Sequence, residues 1–200
     1  DPEANIFAYK VCRNNGTCYS DDVAVAIRMA ADRGAQVINV SLGSDIVSPL
    51  IQEAVNHAGS KNALVIAAAG NDGPYAGSID YPAALSSVGS VGALDEDGLI
   101  PEWSSRGIEV SKEAYVRQEG DIEFAAPGVN IESTGKDGDY VIFSGTSMAA
   151  PHLAGLAAKV WQADTENPAQ STRDLLTRLT KDTLPLGDDN ASGWGIPTLQ

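Results

Sequence analysis

Ser147 stands in the run Ser144-Gly145-Thr146-Ser147-Met148-Ala149-Ala150-Pro151-His152, the densest concentration of chemistry-bearing residues in the chain. From Thr146 to Gln162 the sequence is apolar and alanine-rich, which predicts a helix buried on most sides. A serine at the start of such a helix sits beside its positive end and its free backbone N–H groups, and both favour an anion next to Oγ. Gly145 permits the close backbone approach that a substrate lying alongside requires. Ser147 is therefore the candidate nucleophile.

A serine nucleophile needs a base, and the chain offers only His57 and His152. His57 falls in a predicted helix behind the sheet and reads as a surface or helix-end residue. His152 follows Ser147 by five residues, about 500° of rotation at about 100° per residue, so it points away from the serine. Neither supplies a base for Ser147.

The elements that must position Ser147 alternate in type. Asn5 to Cys12 reads as a strand, followed by a loop to Tyr19. Ser20 reads as an N-cap with Asp21 and Asp22 in the first turn of a helix that Gly34 ends. Val37 to Leu42 is a second strand, and Ser48-Pro49 opens a second helix that closes at Gly59. Ala63 to Ala69 is a continuous apolar strand of the kind buried on both faces of a parallel sheet. This alternation is the α/β pattern, with ligand sites expected just beyond strand C-termini, here Ser41-Leu42-Gly43 and Gly70-Asn71-Asp72-Gly73. Further on, Ser86 to Leu94 and Phe124 to Pro127 read as strands, and Asp137 to Asp139 as a turn between two short ones. The charged stretch from Gly107 to Glu123 predicts a surface excursion, and Ser171 with Asp174 three residues on predicts the start of a final helix.

Composition sets the class of partner. The 200 residues are 43% hydrophobic and 20% charged, with a formal net charge of -14. Residues 1–100 carry 12 acids and 5 bases and residues 101–200 carry 15 and 8, so each half is at -7 and no acidic tail exists. Such a polyanion is repelled by phosphate backbones and anionic lipid, which excludes nucleic acid and membrane surfaces as partners. No apolar run approaches the ~18 residues of a membrane span. The acidic start Asp1-Pro2-Glu3 does not read as a signal peptide, so the chain is expected to begin downstream of any targeting segment. Cys12 and Cys18 flank a polar stretch able to turn, which leaves a disulfide and two free thiols both open.

Gly145 to His152, followed by Leu153-Ala154-Gly155, resembles the active-serine signature of the subtilisin-like serine proteases, the subtilases. A lipase-type elbow is disfavoured, because Ala149 stands where that motif has its second glycine. Val37 to Gly43 resembles the family's strand whose end lines the substrate cleft, and Ala67-Ala68-Ala69-Gly70-Asn71 resembles the segment bearing its oxyanion-hole asparagine. Pro82, Trp103-Ser104-Ser105-Arg106-Gly107, Ala126-Pro127-Gly128 and Gly193-Trp194-Gly195 match the family's order and approximate spacing.

The resemblance implies a three-layer α/β fold with a mostly parallel sheet and a secreted, extracellular endopeptidase acting on polypeptide. By resemblance Ser147 attacks the scissile carbonyl, Asn71 and the Ser147 N–H hold the oxyanion, and Ser41, Leu42, Gly43 and Gly70 line the cleft. It also implies a Cys12–Cys18 disulfide. The family's aspartate and histidine motifs precede a segment resembling Asn5 to Cys12, and no Asp-Thr-Gly or His-Gly-Thr-His stretch occurs here. Residues 1–200 thus resemble the last two thirds of a catalytic domain, expected to associate with the missing N-terminal portion or with another chain. A degenerate or excised domain, serving as a non-catalytic binding or structural module, is the alternative. No cofactor or metal is assigned. The acidic turns at Asp95 to Asp97, Asp137 to Asp139 and Asp188 to Asn190 lack the full spacing of an oxygen-ligand loop, and calcium stays a candidate only because subtilases often bind it.

Overall fold

The computed structural model describes residues 2–108, 117–136, 138–182 and 189–199. Four parallel strands form the central sheet in sequential order: β1 (Val37–Val40), β2 (Leu64–Ala68), β3 (Gly89–Leu94) and β4 (Phe124–Pro127). Helices α1 (Ser20–Asp32) and α2 (Pro49–Ser60) cover one face, and α3 (Thr146–Lys159) and α4 (Pro168–Arg178) the other. Two antiparallel pairs, β5 (Ile131–Thr134) with β6 (Tyr140–Phe143) and β7 (Thr180–Lys181) with β8 (Ile196–Pro197), complete the elements. This is the expected three-layer arrangement.

Strand β2 shows why the sheet is buried on both sides. Successive side chains of a strand point to opposite faces, so Val65, Ala67 and the following Ala69 enter the core under α1 and α2, while Leu64, Ile66 and Ala68 enter the core under α3. All five strand residues are buried. A continuous apolar run is the consequence, and small alanines near its end let Gly70 and Asn71 emerge close to α3.

Four local expectations are corrected. Asn5 to Cys12 is not a strand: residues 2–8 are exposed, Ile6 at 88%, and the pairing there is a lone Cys12–Cys18 bridge. An alternating apolar run becomes a strand only where a neighbour pairs with it. Helix α1 takes Tyr19 as its N-cap, with Ser20 inside the first turn. Helix α4 starts at Pro168 behind Asn167, three residues before Ser171, because proline at the first helical position is pre-set for the helix.

The fourth correction concerns Gly107 to Glu123. Residues 109–116 lie outside the described residues, but Asp121, Ile122 and Glu123 are buried and not on the surface. Glu123 is only 1% exposed and accepts from Arg173 Nε at 2.7 Å and Arg117 Nε at 2.8 Å. Arg173 also donates to the carbonyls of Ser86 and Val88. Two guanidiniums replace water around the carboxylate, and that is what allows it inside.

Candidate active site

Ser147 is the second residue of α3, preceded by Gly145 at the N-cap. The Thr146 N–H donates to Asn71 Oδ1 at 3.0 Å, and the Met148 N–H to the Gly145 carbonyl at 3.0 Å. The Ser147 N–H is left as a first-turn donor with no protein acceptor among the described residues.

Asn71 follows β2 through Gly70, whose φ of +106° is a conformation that favours glycine. The Gly70 N–H donates to Thr146 Oγ1 at 3.1 Å, and the Gly70 carbonyl accepts from Ser105 N. The Thr146 hydroxyl also lies 3.2 Å from Asn71 Oδ1. Because Oδ1 faces the Thr146 N–H, the Asn71 Nδ2 carries the free donor protons. The loop end and the helix start, 75 residues apart, are tied together at Asn71 Oδ1, which leaves Asn71 Nδ2 and the Ser147 N–H as donors on the two joined segments. That pairing suits an oxygen gaining negative charge, as the carbonyl oxygen does when a serine attacks.

Thr146, Asn39 and Ser105 take part without having been singled out in the sequence. The one signal for Thr146 is its hydroxyl immediately before the candidate nucleophile, and for Asn39 a polar residue inside an apolar strand.

Ser147 also meets the segment leaving β1. Ser147 Oγ donates to the Ser41 carbonyl at 3.2 Å, and Ser41 Oγ donates to the Ser147 carbonyl at 2.9 Å. Asn39 Nδ2 donates to Ser41 Oγ at 3.0 Å. Leu42 borders a cavity of about 190 Å³ shared with Gly43, Val23, Ile46, Ile51 and Leu85.

Gly43 and Gly70 share a neighbour absent from the sequence reading, Asp80. A Cβ on either glycine would fall 2.7 Å from Asp80 Oδ2. Asp80 has its pKa pushed up to about 6, first by burial and then by the charges of Asp72 and Asp45, with Asp45 also hydrogen-bonded to it. Asp45, Asp72 and Asp80 offer ligand atoms within 4.8 Å of one another, the one such acidic group among the described residues. Of the acidic turns named from the sequence, Asp95 and Asp189 direct carboxylate oxygens to backbone N–H groups. Asp95 Oδ1 accepts the N–H groups of Asp97 and Leu99, and Asp189 accepts those of Ala191 and Ser192; Asp137 and Asp188 lie outside the described residues.

Each histidine has a hydrogen-bond partner other than Ser147. His57, in the last turn of α2, pairs with Asp32 at 2.7 Å and holds that carboxyl below its usual range. His152 Nδ1 donates to the Met148 carbonyl at 2.9 Å. Cys12 and Cys18 form a disulfide. Among the described residues no helix is long and apolar enough to cross a membrane.

This geometry has relatives. The chain is 46% identical to subtilisin of Bacillus sp. (strain TA39), over 100% of this chain and 51% of that protein. It is 36% identical to subtilisin Savinase of Lederbergia lenta, over 98% of this chain and 66% of that protein. The chain spans about half the length of several curated relatives it matches. Among solved structures, an S41 psychrophilic protease superposes with a TM-score of 0.94 at 45% identity, and sphericase with 0.94 at 41%. Each superposition covers 100% of this chain and 70% of the other. The model of the subtilase family matches residues 1–195, and the chain belongs to that family.

Proposed function

We propose that these residues form the C-terminal two thirds of the catalytic domain of a secreted serine endopeptidase. Ser147 is its nucleophile, and Asn71 with the Ser147 N–H forms its oxyanion hole. The observation that carries this reading is the Asn71–Thr146 contact, which aims a free side-chain amide at the helix start holding the serine. A histidine outside these 200 residues takes the Ser147 proton and returns it to the leaving amine, and an aspartate, also outside them, orients that histidine. The committed pairings of His57 and His152 support placing the base elsewhere.

The substrate is a polypeptide lying extended along Ser41-Leu42-Gly43, pairing its backbone with that exposed strand end. The cavity beside Leu42 takes one of its apolar side chains. Calcium enters only as a candidate at Asp45, Asp72 and Asp80, which offer three carboxylates where the ion takes about six to eight oxygens. The test is labelling of the full-length protein with a serine-directed phosphonyl fluoride, followed by peptide mapping. Modification of Ser147 together with loss of peptide hydrolysis is expected. A folded, unlabelled protein would favour the non-catalytic module instead.

A further inference from the structure

In an α-helix the carbonyl of residue i accepts from the N–H of residue i+4. For Ser147 that partner is Pro151, which lies inside α3 and has no N–H. The carbonyl of the nucleophile residue is thus deprived of its helical donor. It is not left bare, because Ser41 Oγ reaches it at 2.9 Å from a segment 106 residues away.

We infer that Ser41 is a positioning residue, its hydroxyl replacing the donor that Pro151 removes and so fixing the backbone from which the Ser147 side chain acts. This rests on Ser147 being the nucleophile. A hydroxyl has one proton, and the direction in which it points is set by Asn39, whose Nδ2 donates to Ser41 Oγ at 3.0 Å. With that approach occupied, the Ser41 proton is committed to the Ser147 carbonyl. The return bond runs from Ser147 Oγ to the Ser41 carbonyl at 3.2 Å. The two residues hold each other by backbone and side chain at once, which restrains both the Ser147 backbone and its side-chain rotamer. Proline is useful in this arrangement. A helical N–H at residue 151 would tie the Ser147 carbonyl into α3 alone, whereas its absence couples the nucleophile to the end of β1, where the substrate backbone docks.

Ser41→Ala deletes the hydroxyl and keeps the backbone that pairs with substrate. In the full-length enzyme it is expected to lower kcat about 5- to 10-fold, the worth of one neutral hydrogen bond, with KM within about twofold of wild type. Ser41→Thr, which keeps the hydroxyl, recovers at least half of that loss. Pro151→Ala restores an N–H at residue 151, so adding it to Ser41→Ala costs less than adding it to wild type, and the two effects are subadditive by at least about threefold. A purely structural role moves melting temperature without this split or this coupling. Independent, multiplying losses, or a loss confined to KM, would overturn the inference. If Ser41→Ala fails to fold, Asn39→Ala reports in its place, with a smaller fall in kcat expected and an unchanged kcat overturning it. Wild-type enzyme that hydrolyses no peptide and escapes phosphonyl labelling would instead sink the peptidase reading. Active wild type with an equally active Ser41→Ala would sink only the role of Ser41.

Discussion

Asn71 and Thr146 meet through one oxygen, Asn71 Oδ1, which lies 3.0 Å from the Thr146 backbone nitrogen and 3.2 Å from its hydroxyl. The contact fixes the orientation of the amide and leaves Nδ2 as its donor end. Asn71→Asp would keep an acceptor for Thr146 but put an anion in the proposed oxyanion hole, and Asn71→Ala would remove the donor. Each is expected to lower kcat by ~100- to 1000-fold with KM little changed, the size known for a subtilisin oxyanion-hole asparagine. Steady-state kinetics of the full-length enzyme checks it, and a loss confined to KM would contradict the assigned role.

Gly70 permits no side chain. At φ +106° an added Cβ would lie 2.7 Å from Asp80 Oδ2 and 2.8 Å from Ser105 Oγ. Gly70→Ala therefore combines an unfavourable backbone conformation with two close contacts, and is expected to destabilise by about 1–3 kcal/mol. It also displaces Asn71, so kcat should fall further than stability alone accounts for. Denaturant unfolding and kinetics on the same sample separate the two effects.

Much of this was readable in the chain because it depends on neighbours in sequence. The apolar run at β2, Ser48-Pro49 ahead of α2 and the apolar helix after Ser147 are local patterns, and each element formed within a few residues of its expected bounds. What escaped depends on neighbours in space. Asn5 to Cys12 has the alternation of a strand but no partner to pair with among the described residues. Glu123 reads as surface charge until Arg173, 50 residues on, is seen to neutralise it. Asp80 is one aspartate in a Gly/Pro-rich loop, and only folding sets it against Gly43 and Gly70. Pro151 was visible in the motif, yet its effect on the Ser147 carbonyl appears only once Ser41 is found there.

The Glu123–Arg173 pair gives a stability prediction. Glu123 is 1% exposed and Arg173 5%, so removing Arg173 leaves the buried carboxylate to Arg117 alone, and removing Glu123 leaves the Arg173 guanidinium with only the Ser86 and Val88 carbonyls. With Arg117 still in place, Arg173→Met is expected to destabilise by ~2–3 kcal/mol, whereas replacing both, as Glu123→Leu with Arg173→Met, should cost clearly less than the sum. Urea unfolding of the two single variants and the double variant decides it. Additive losses would show that the pair is not the unit that matters.

Asp80 carries a prediction about pH, for selectivity in the proposed cleft and for stability. Burial first, and then the carboxylates of Asp72 and Asp45, raise its pKa to about 6. Above that pH Asp80 adds a negative charge beside Gly43 and Gly70, so in the proposed cleft a lysine or arginine next to the attacked carbonyl should be drawn in more strongly. The ratio of kcat/KM for lysine-bearing over leucine-bearing peptides should rise between pH 5 and 7.5, and Asp80→Asn should flatten that rise. Stability runs the other way. In the unfolded chain the group titrates near 3.8, so between there and about 6 the folded state binds more protons and loses stability as pH rises. Asp80→Asn is neutral throughout and should gain melting temperature over wild type at pH 7.5 but not at pH 4. An equal gain at both values would mean that packing, and not charge, sets the effect of Asp80.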